Sequence, residues 1–309
     1  MNILSVVEPF DSVVIFRHQI ADQDALGAQF GLKCFLQSAF PNKKIYAIGN
    51  SVGSCFSLFP EIDDVEDEII ASSIAFVLDT ADTARIDDQR FRLAKKLVKI
   101  DHHILVENYA DDSYVDTHAA ATCEILAFLF QKHKFYVTKE CATYLYYGLI
   151  ADSLGFTTNN TSDQTLLAAA FLLQCGVDVS AVKEATSGMS ADEFYYINLI
   201  RNKVQIKGKV AYAIMNAEEY QQFGLTYNQA KEKVFALANV NEFPIWCLFT
   251  EDESYHESKL YNGSLRSRTI AINKVANDFR GGGHKNACGV KKLTLEEIDS
   301  LVSILDQLY

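Results

Sequence analysis

Three side chains of metal-ligand type lie close together in the run Phe16-Arg-His-Gln-Ile-Ala-Asp-Gln-Asp-Ala-Leu-Gly27, namely His18, Asp22 and Asp24. Two carboxylates held within a few ångströms repel unless one is protonated or a cation lies between them, and an imidazole beside them favours a divalent metal. The same residues serve equally as turn and helix-cap groups, with His18 a solvated strand end. Three later segments repeat the pattern. Ser73-Ile-Ala-Phe-Val-Leu-Asp79 and Leu97-Val-Lys-Ile-Asp-His-His103 each end a short apolar run with acidic or histidine residues, and Asp152 closes Tyr146-Tyr-Gly-Leu-Ile-Ala-Asp. In open α/β sheets ligands bind beyond the carboxyl ends of the strands, so groups far apart in sequence can share one site.

That convergence needs strands ending at those residues. Val13, Val14 and Ile15 precede the first loop, residues 25 to 39 read as a helix, and Lys44 to Ile48 as a strand ending at Gly49-Asn50. A strand over 74 to 79, a helix through Arg90 to Leu97 and a strand over 97 to 101 continue the α/β alternation. Residues 119 to 131, 138 to 150 and 163 to 175 carry helical spacing, with Ser162-Asp163 a start and Gly176 a stop for the third. Asp152 is expected in the loop between the last two, within Gly148 to Asn160; the alternative, an acid at a helix C-terminus, is disfavoured by the helix dipole, which favours a functional role. The capping box Ser190-Ala-Asp-Glu193 opens a helix to about Arg201, taken as the connector between domains.

The remainder reads as a strand, a turn at Lys207-Gly208, a strand from Val210 to Met215 and a helix begun by Thr226-x-x-Gln229. Strands near 244 to 249 and 259 to 266, a helix from Asn273 to Phe279 and a terminal helix capped by Thr294-x-x-Glu297 follow. The fold class is α/β: an N-terminal domain with a mainly parallel sheet flanked by helices (1–185), a linker helix (186–203) and a smaller C-terminal α/β domain (204–309). Within the latter, Gly281-Gly-Gly283 reads as a turn, or as backbone that lets N–H groups approach a phosphate beside His284 and a clamping Arg266.

With 309 residues the chain can bury a core in each of two domains, and 49% hydrophobic with 22% charged residues is ordinary globular composition. No apolar run approaches a membrane span, and the N-terminal residues lack a basic signal-peptide region, so a cytoplasmic location without membrane association is expected. Seven widely spaced cysteines without a C-x-x-C pair read as reduced residues of apolar segments. The six acids between Glu61 and Glu68 lack an EF-hand's glycine and ligand spacing and read as solvated surface. A net charge of −12 argues against stable binding of long nucleic acid. Between Tyr261 and Lys292, however, seven basic residues face one acid, Asp278, a local patch suited to a small anion.

The ordered set His18-x3-Asp22-x-Asp24, Asp79, Asp101-His102-His103 and Asp152 resembles the four motifs of the DHH phosphoesterases. Gly263-Ser-Leu-Arg-Ser267 with Gly281-Gly-Gly-His284 resembles the associated DHHA1 domain. The likeness spans nearly the whole chain and is strongest to the NrnA-like branch of oligoribonucleases and pAp phosphatases. Ala21 and Ala28 stand where the family usually has Pro and Ser; both are backbone-shaping neighbours rather than ligands. The resemblance implies two divalent metal ions, with manganese favoured by the mixed imidazole and carboxylate ligands and magnesium or cobalt also compatible. His18, Asp22 and Asp79 would hold one ion; Asp24, Asp79, His102 and Asp152 the other, with Asp79 bridging. His103 matches the position that contacts the scissile phosphate or protonates the leaving group, and Asp101 fits the role of orienting an imidazole.

Arg266, Ser267, Gly281, Gly282, Gly283 and His284 would bind the substrate end away from the metals. The implied substrates are short oligoribonucleotides, such as pApA, and pAp; a homodimer is compatible with the resemblance. Three alternatives stay open: a cyclic dinucleotide phosphodiesterase, a family II inorganic pyrophosphatase and a non-catalytic nucleotide-binding regulator. The C-terminal motifs speak against the pyrophosphatase, and the complete ligand set speaks against the regulator.

Overall fold

The computed structural model describes residues 1–50, 54–255 and 258–308. In the first of two units, Met1–Gly188, the chain runs through α1 (Ile3–Val7), β1 (Ser12–Phe16), α2 (Gln23–Ala39), β2 (Lys44–Ala47), α3 (Asp67–Ser72), β3 (Ile74–Leu78), β4 (Lys96–Asp101) and β5 (Asp112–Val115). Helices α4 (Thr122–Lys132), α5 (Lys139–Asp152), α6 (Asp163–Gln174) and α7 (Val179–Ser187) complete it. The sheet order is β2-β1-β3-β4-β5, with every pairing parallel. Parallel strands need crossovers that cover both faces, so β1 and β3 are buried at all five positions. Alternate residues feed separate cores: Val13, Ile15, Phe76 and Leu78 pack towards α2, α4 and α5, whereas Val14, Phe16, Ala75 and Val77 pack with Ile70 and Phe91.

Two boundaries differ from the sequence expectation. Residues 90 to 97 form no helix: a short 3-10 turn covers Gln89–Leu93, and Lys96 already pairs with Ile74 in the sheet. Asp88 accepts from the Arg90 backbone and pairs with its guanidinium, which closes the turn. The helix expected from 119 begins at Thr122, because Thr122 N–H donates 2.7 Å to the Asp24 carboxylate across the fold.

The second unit, Met189–Tyr309, contains α8 (Ala191–Asn202), β6 (Gln205–Lys207), β7 (Val210–Met215), α9 (Ala217–Gln221), α10 (Tyr227–Lys231), β8 (Ile245–Glu251), β9 (Tyr261–Ser267), α11 (Asn273–Asp278), β10 (Gly282–His284), β11 (Ala287–Leu293) and α12 (Leu295–Asp306). Its mixed sheet has the order β10-β11-β9-β8-β7-β6. One core takes Leu301, Val302 and Leu305 of α12 and Val275 of α11. The opposite core takes Tyr196, Ile197 and Ile200 of α8, so this helix packs as part of the second unit's sheet layer. The seven cysteines are reduced and form no disulfide, and no single helix among the described residues is long and apolar enough to cross a membrane.

Candidate metal centre

The order β2-β1-β3-β4-β5 reverses direction between β1 and β3, and such a switch point opens a crevice at the carboxyl ends of the strands. His18 follows β1, Asp79 follows β3, and His102 and His103 follow β4. Asp22 is the N-cap of α2, and its Oδ1 accepts from the backbone N–H groups of Asp24 and Ala25. The cap reading holds for Asp22, and its other oxygen, Oδ2, lies 3.6 Å from His18 Nε2. Asp24 sits in the first helical turn, fully buried.

Asp152 corrects the loop expectation: it is the last residue of α5. The helix stops only beyond it, where Leu154 and Gly155 turn left-handed and Gly155 N–H closes on Ile150 O at 2.8 Å.

These residues converge. Asp79 Oδ2 lies 3.3 Å from His18 Nε2, and its Oδ1 lies 3.4 Å from His102 Nε2. His102 Nε2 also lies 3.5 Å from Asp152 and 3.9 Å from Asp24. Ligand atoms gather into three groups, His18 with Asp22 and Asp79, Asp24 with His102 and Asp152, and Asp79 with His102 and His103. The last brings His103 closer to the cluster than its sequence position implied, with Nδ1 3.5 Å from Asp79.

The donor set fits metal ions. His18 Nδ1 contacts Gln19 O at 2.8 Å and His102 Nδ1 contacts Ala119 O at 3.3 Å, which places the ring proton on Nδ1 and leaves each Nε2 aimed at carboxylates. Among the described residues His102 Nε2 is buried without a hydrogen-bond partner, the state expected of an atom whose natural partner is a cation.

Electrostatics report the same crowding. Burial, then the neighbouring Asp79, pushes Asp24 up to about 7. Burial, then Asp24, pushes Asp152 up to about 9. Burial opposes the charge of His18 and His102, yet their carboxylate contacts outweigh it and hold both at about 10. Asp79 is buried too, but the two imidazoles keep it well below the usual carboxylate range.

Several positioning groups carried no signal in the sequence reading. Cys123 N–H donates to Asp24 Oδ1 at 3.0 Å, and Thr122 Oγ1 donates to Asp79 Oδ1 at 3.0 Å, so the start of α4 organises two carboxylates. A Cβ on Gly148 would lie 2.5 Å from Cys123 Sγ and 2.8 Å from Asp24 Cα; only glycine lets α5 approach Asp24 this closely. Buried Arg17 pairs with Asp87 at 2.8 Å and donates to His18 O at 3.1 Å, fixing the backbone from which His18 projects.

In the second unit the register row His284–Ala287–Arg266 sets Arg266 and His284 on one sheet face. Arg266 is half-buried and donates to Leu265 O and Cys288 O. The Ser267 hydroxyl is separate from this pair; it donates to Ile270 O and accepts from Asn286, tying the following loop. The glycine run is an edge strand rather than a loose turn, and Gly281 is required by packing, since a Cβ there would meet Gly289 O at 2.1 Å. Beside it lies a cavity of ≈ 400 Å³ lined by Tyr227, Lys231, Arg280, Gly282, Gly289 and Lys291.

Histidine and aspartate clusters that share a carboxylate at the carboxyl edge of a parallel sheet place a potential metal centre on an α/β fold. Residues 12–149 match the DHH family N-terminal domain and residues 207–309 the DHHA1 domain; the chain belongs to the DHH family of phosphoesterases. A Mycoplasma pneumoniae protein called "Uncharacterized protein MG371 homolog" is 34% identical over 99% of this chain and 94% of its own length. The "Bifunctional oligoribonuclease and PAP phosphatase NrnA" of Bacillus subtilis is 28% identical over 99% of this chain and 97% of its own. An exopolyphosphatase-related protein from Bacteroides fragilis shares the fold, with a TM-score of 0.85 and 23% identity over 99% of this chain and 94% of that one.

Proposed function

We propose that this protein is a manganese-dependent phosphoesterase that hydrolyses short oligoribonucleotides to mononucleotides and pAp to AMP and phosphate, in the cytoplasm. The observation that carries this reading is Asp79, whose two oxygens face the imidazoles of two separate ligand groups. One carboxylate so placed suits a bridge between two ions. Two divalent ions there would neutralise phosphoryl oxygens and bring the pKa of a water towards about 7.

The chain's own residues then divide the work. His18, Asp22 and Asp79 would hold one ion; Asp24, Asp79, His102 and Asp152 would hold the other. The α4 N–H groups keep the Asp24 carboxylate in place, as do the carbonyls behind His18 and His102 for the rings. Asp101 Oδ1 accepts from His103 N–H at 3.1 Å and faces His103 Nδ1 at 2.8 Å. That arrangement leaves Nε2 of His103 for the scissile phosphate or the leaving oxygen. Burial opposes ionisation of Asp101, but its His103 contacts keep it below its ordinary range, so it acts as the fixed acceptor.

In the second unit Arg266 and His284 supply phosphate contacts, with Gly282 offering close backbone approach, Gly281 and Gly283 packing the edge strand that carries it, and Ser267 shaping the adjoining loop. The cations Lys231 and Lys291 around the neighbouring cavity support an anionic ligand on a chain that is acidic overall, whereas Arg280 beside them is paired with Glu297. The relative named as an oligoribonuclease and PAP phosphatase supports the choice of substrates.

The test is hydrolysis by purified protein with Mn2+ of pAp, pApA, a five-nucleotide RNA, cyclic di-AMP and pyrophosphate. Turnover of pAp, pApA and the RNA, with slower use of the cyclic compound, is expected. Pyrophosphate as the best substrate, or no hydrolysis of any nucleotide, would overturn the reading.

A further inference from the structure

The strand that ends in Asp101 buries a second charged group, one that the reaction above leaves unused. Lys99 is 1% exposed in the interior of the parallel sheet. Its register neighbours are Val77 and Ser113, and it lies two residues before Asp101, on the same face of β4. A lysine ammonium in such a place is costly unless paired. Its Nζ lies 3.1 Å from Asp101 Oδ2, donates to Ala81 O at 3.0 Å and sits 4.9 Å from the Tyr109 ring centre. Tyr109 in turn donates to Thr80 O at 2.8 Å.

The two oxygens of Asp101 are thus divided: Oδ2 faces Lys99, while Oδ1 takes the His103 backbone and ring. Among the described residues Lys99 is the one cation within ion-pair distance of Oδ2. We propose that Lys99 is a positioning residue for His103, acting through Asp101. Oδ2 is buried without a hydrogen-bond partner among the described residues, so its compensation is the ionic attraction of the ammonium 3.1 Å away; that pull fixes the rotation of the carboxylate, so that Oδ1 holds the Nδ1–H tautomer of His103 and turns Nε2 to the substrate. This rests on the reading of His103 as the group that meets the scissile phosphate.

The full-length variants Lys99→Met, Asp101→Asn and the double variant test it. Methionine matches the stem of lysine without its charge. Lys99→Met should lower kcat on pApA by roughly 10- to 100-fold, the cost of a misplaced group, while KM moves far less. Affinity for Mn2+ alone should stay near that of the parent. The double variant should be no slower than Asp101→Asn, because the lysine has nothing left to act through. In metal-free protein, 15N NMR should show His103 in the Nδ1–H tautomer in the parent and a mixture in Lys99→Met.

Multiplying losses in the double variant, an unchanged tautomer alongside a lost kcat, or a tenfold fall in Mn2+ affinity would each overturn the proposal. The last would mean that Lys99 serves the Asp79 loop through Ala81. If Lys99→Met fails to fold, the double variant, which leaves no buried charge unpaired, is compared with Asp101→Asn by the same measurements. An inactive parent would refute the phosphoesterase reading, whereas the tautomer comparison would still decide the role of Lys99.

Discussion

Replacing Asp79 by asparagine is the most direct test of the shared carboxylate. Asp79 has φ 54, a left-handed conformation that Asn adopts about as readily as Asp, whereas alanine would add roughly 1–2 kcal/mol of strain. Asparagine therefore keeps the backbone and shape and removes the charge. Each Asp79 oxygen lies 3.3 or 3.4 Å from an imidazole that a metal would share with it. At about 1.5–3 kcal/mol per contact to a charged group, losing two amounts to roughly 3–6 kcal/mol. At about 1.4 kcal/mol per tenfold, activity should fall roughly 10²- to 10⁴-fold. The fold should survive with a lowered metal-free melting temperature, because the apolar core beneath the site is untouched while the counter-charge to His18 and His102 is lost. Asp79 is already held well below its ordinary range by His18 and His102, and the unfavourable charge sits on Asp24 and Asp152. Initial rates on pAp and pApA at saturating Mn2+, metal content by mass spectrometry and a circular-dichroism melt provide the measurements. Turnover above a tenth of the parent's, with metal content unchanged, would remove Asp79 as the bridge.

Asp152→Asn separates metal binding from folding. Asp152 is pushed up to about 9, so the metal-free protein carries it protonated at neutral pH. The metal-free melting temperature should move by less than the roughly 2–4 °C that 1 kcal/mol produces in a domain of this size, while Mn2+ affinity falls clearly. The pH dependence of the metal-free protein follows from four raised groups. His18 and His102 stand at about 10 against 6.5, and Asp24 and Asp152 at about 7 and 9 against 3.8. Each binds its proton more tightly when folded, so its stabilisation is complete below the ordinary value and is lost as pH rises through the folded one. The metal-free melting temperature should therefore drop from about pH 4, where the two carboxyls begin to lose their protons in the unfolded chain, to about pH 10, and Mn2+ should restore it; a flat profile would contradict the crowded cluster. Gly148→Ala places a Cβ 2.8 Å from Asp24 Cα and should cost about 1–3 kcal/mol in a thermal melt, together with loss of activity. Arg266→Ala and His284→Ala should impair hydrolysis of nucleotides far more than that of bis-p-nitrophenyl phosphate, which has no second phosphate to hold. Equal losses on both substrates would assign these residues to the fold.

What could be read from the sequence was whatever lies along the chain. The apolar runs ending at Asp79 and Asp101 announced strands, because a strand buried on both faces must be continuously apolar. Ser162, Ser190, Thr226 and Thr294 announced helix starts, because a cap acts within three residues. The misplacement of Asp152 had a local cause. The dipole argument assumed an ordinary acid in water, whereas here the acid is buried at the helix end beside Asp24, in the place where a cation would reverse the penalty. The residues that organise the ligands were not readable in this way. Thr122 and Cys123 reach Asp24 across 98 and 99 positions, and Gly148 matters only because α5 crosses α2 at Asp24. Lys99 shows the limit most plainly. In the run Leu-Val-Lys-Ile it interrupts an apolar strand, and nothing local reveals which groups compensate the buried ammonium. A charge there becomes informative only when parallel pairing to both β3 and β5 is known, since the same pairing that buries the ammonium carries it to the carboxylate beside the catalytic edge.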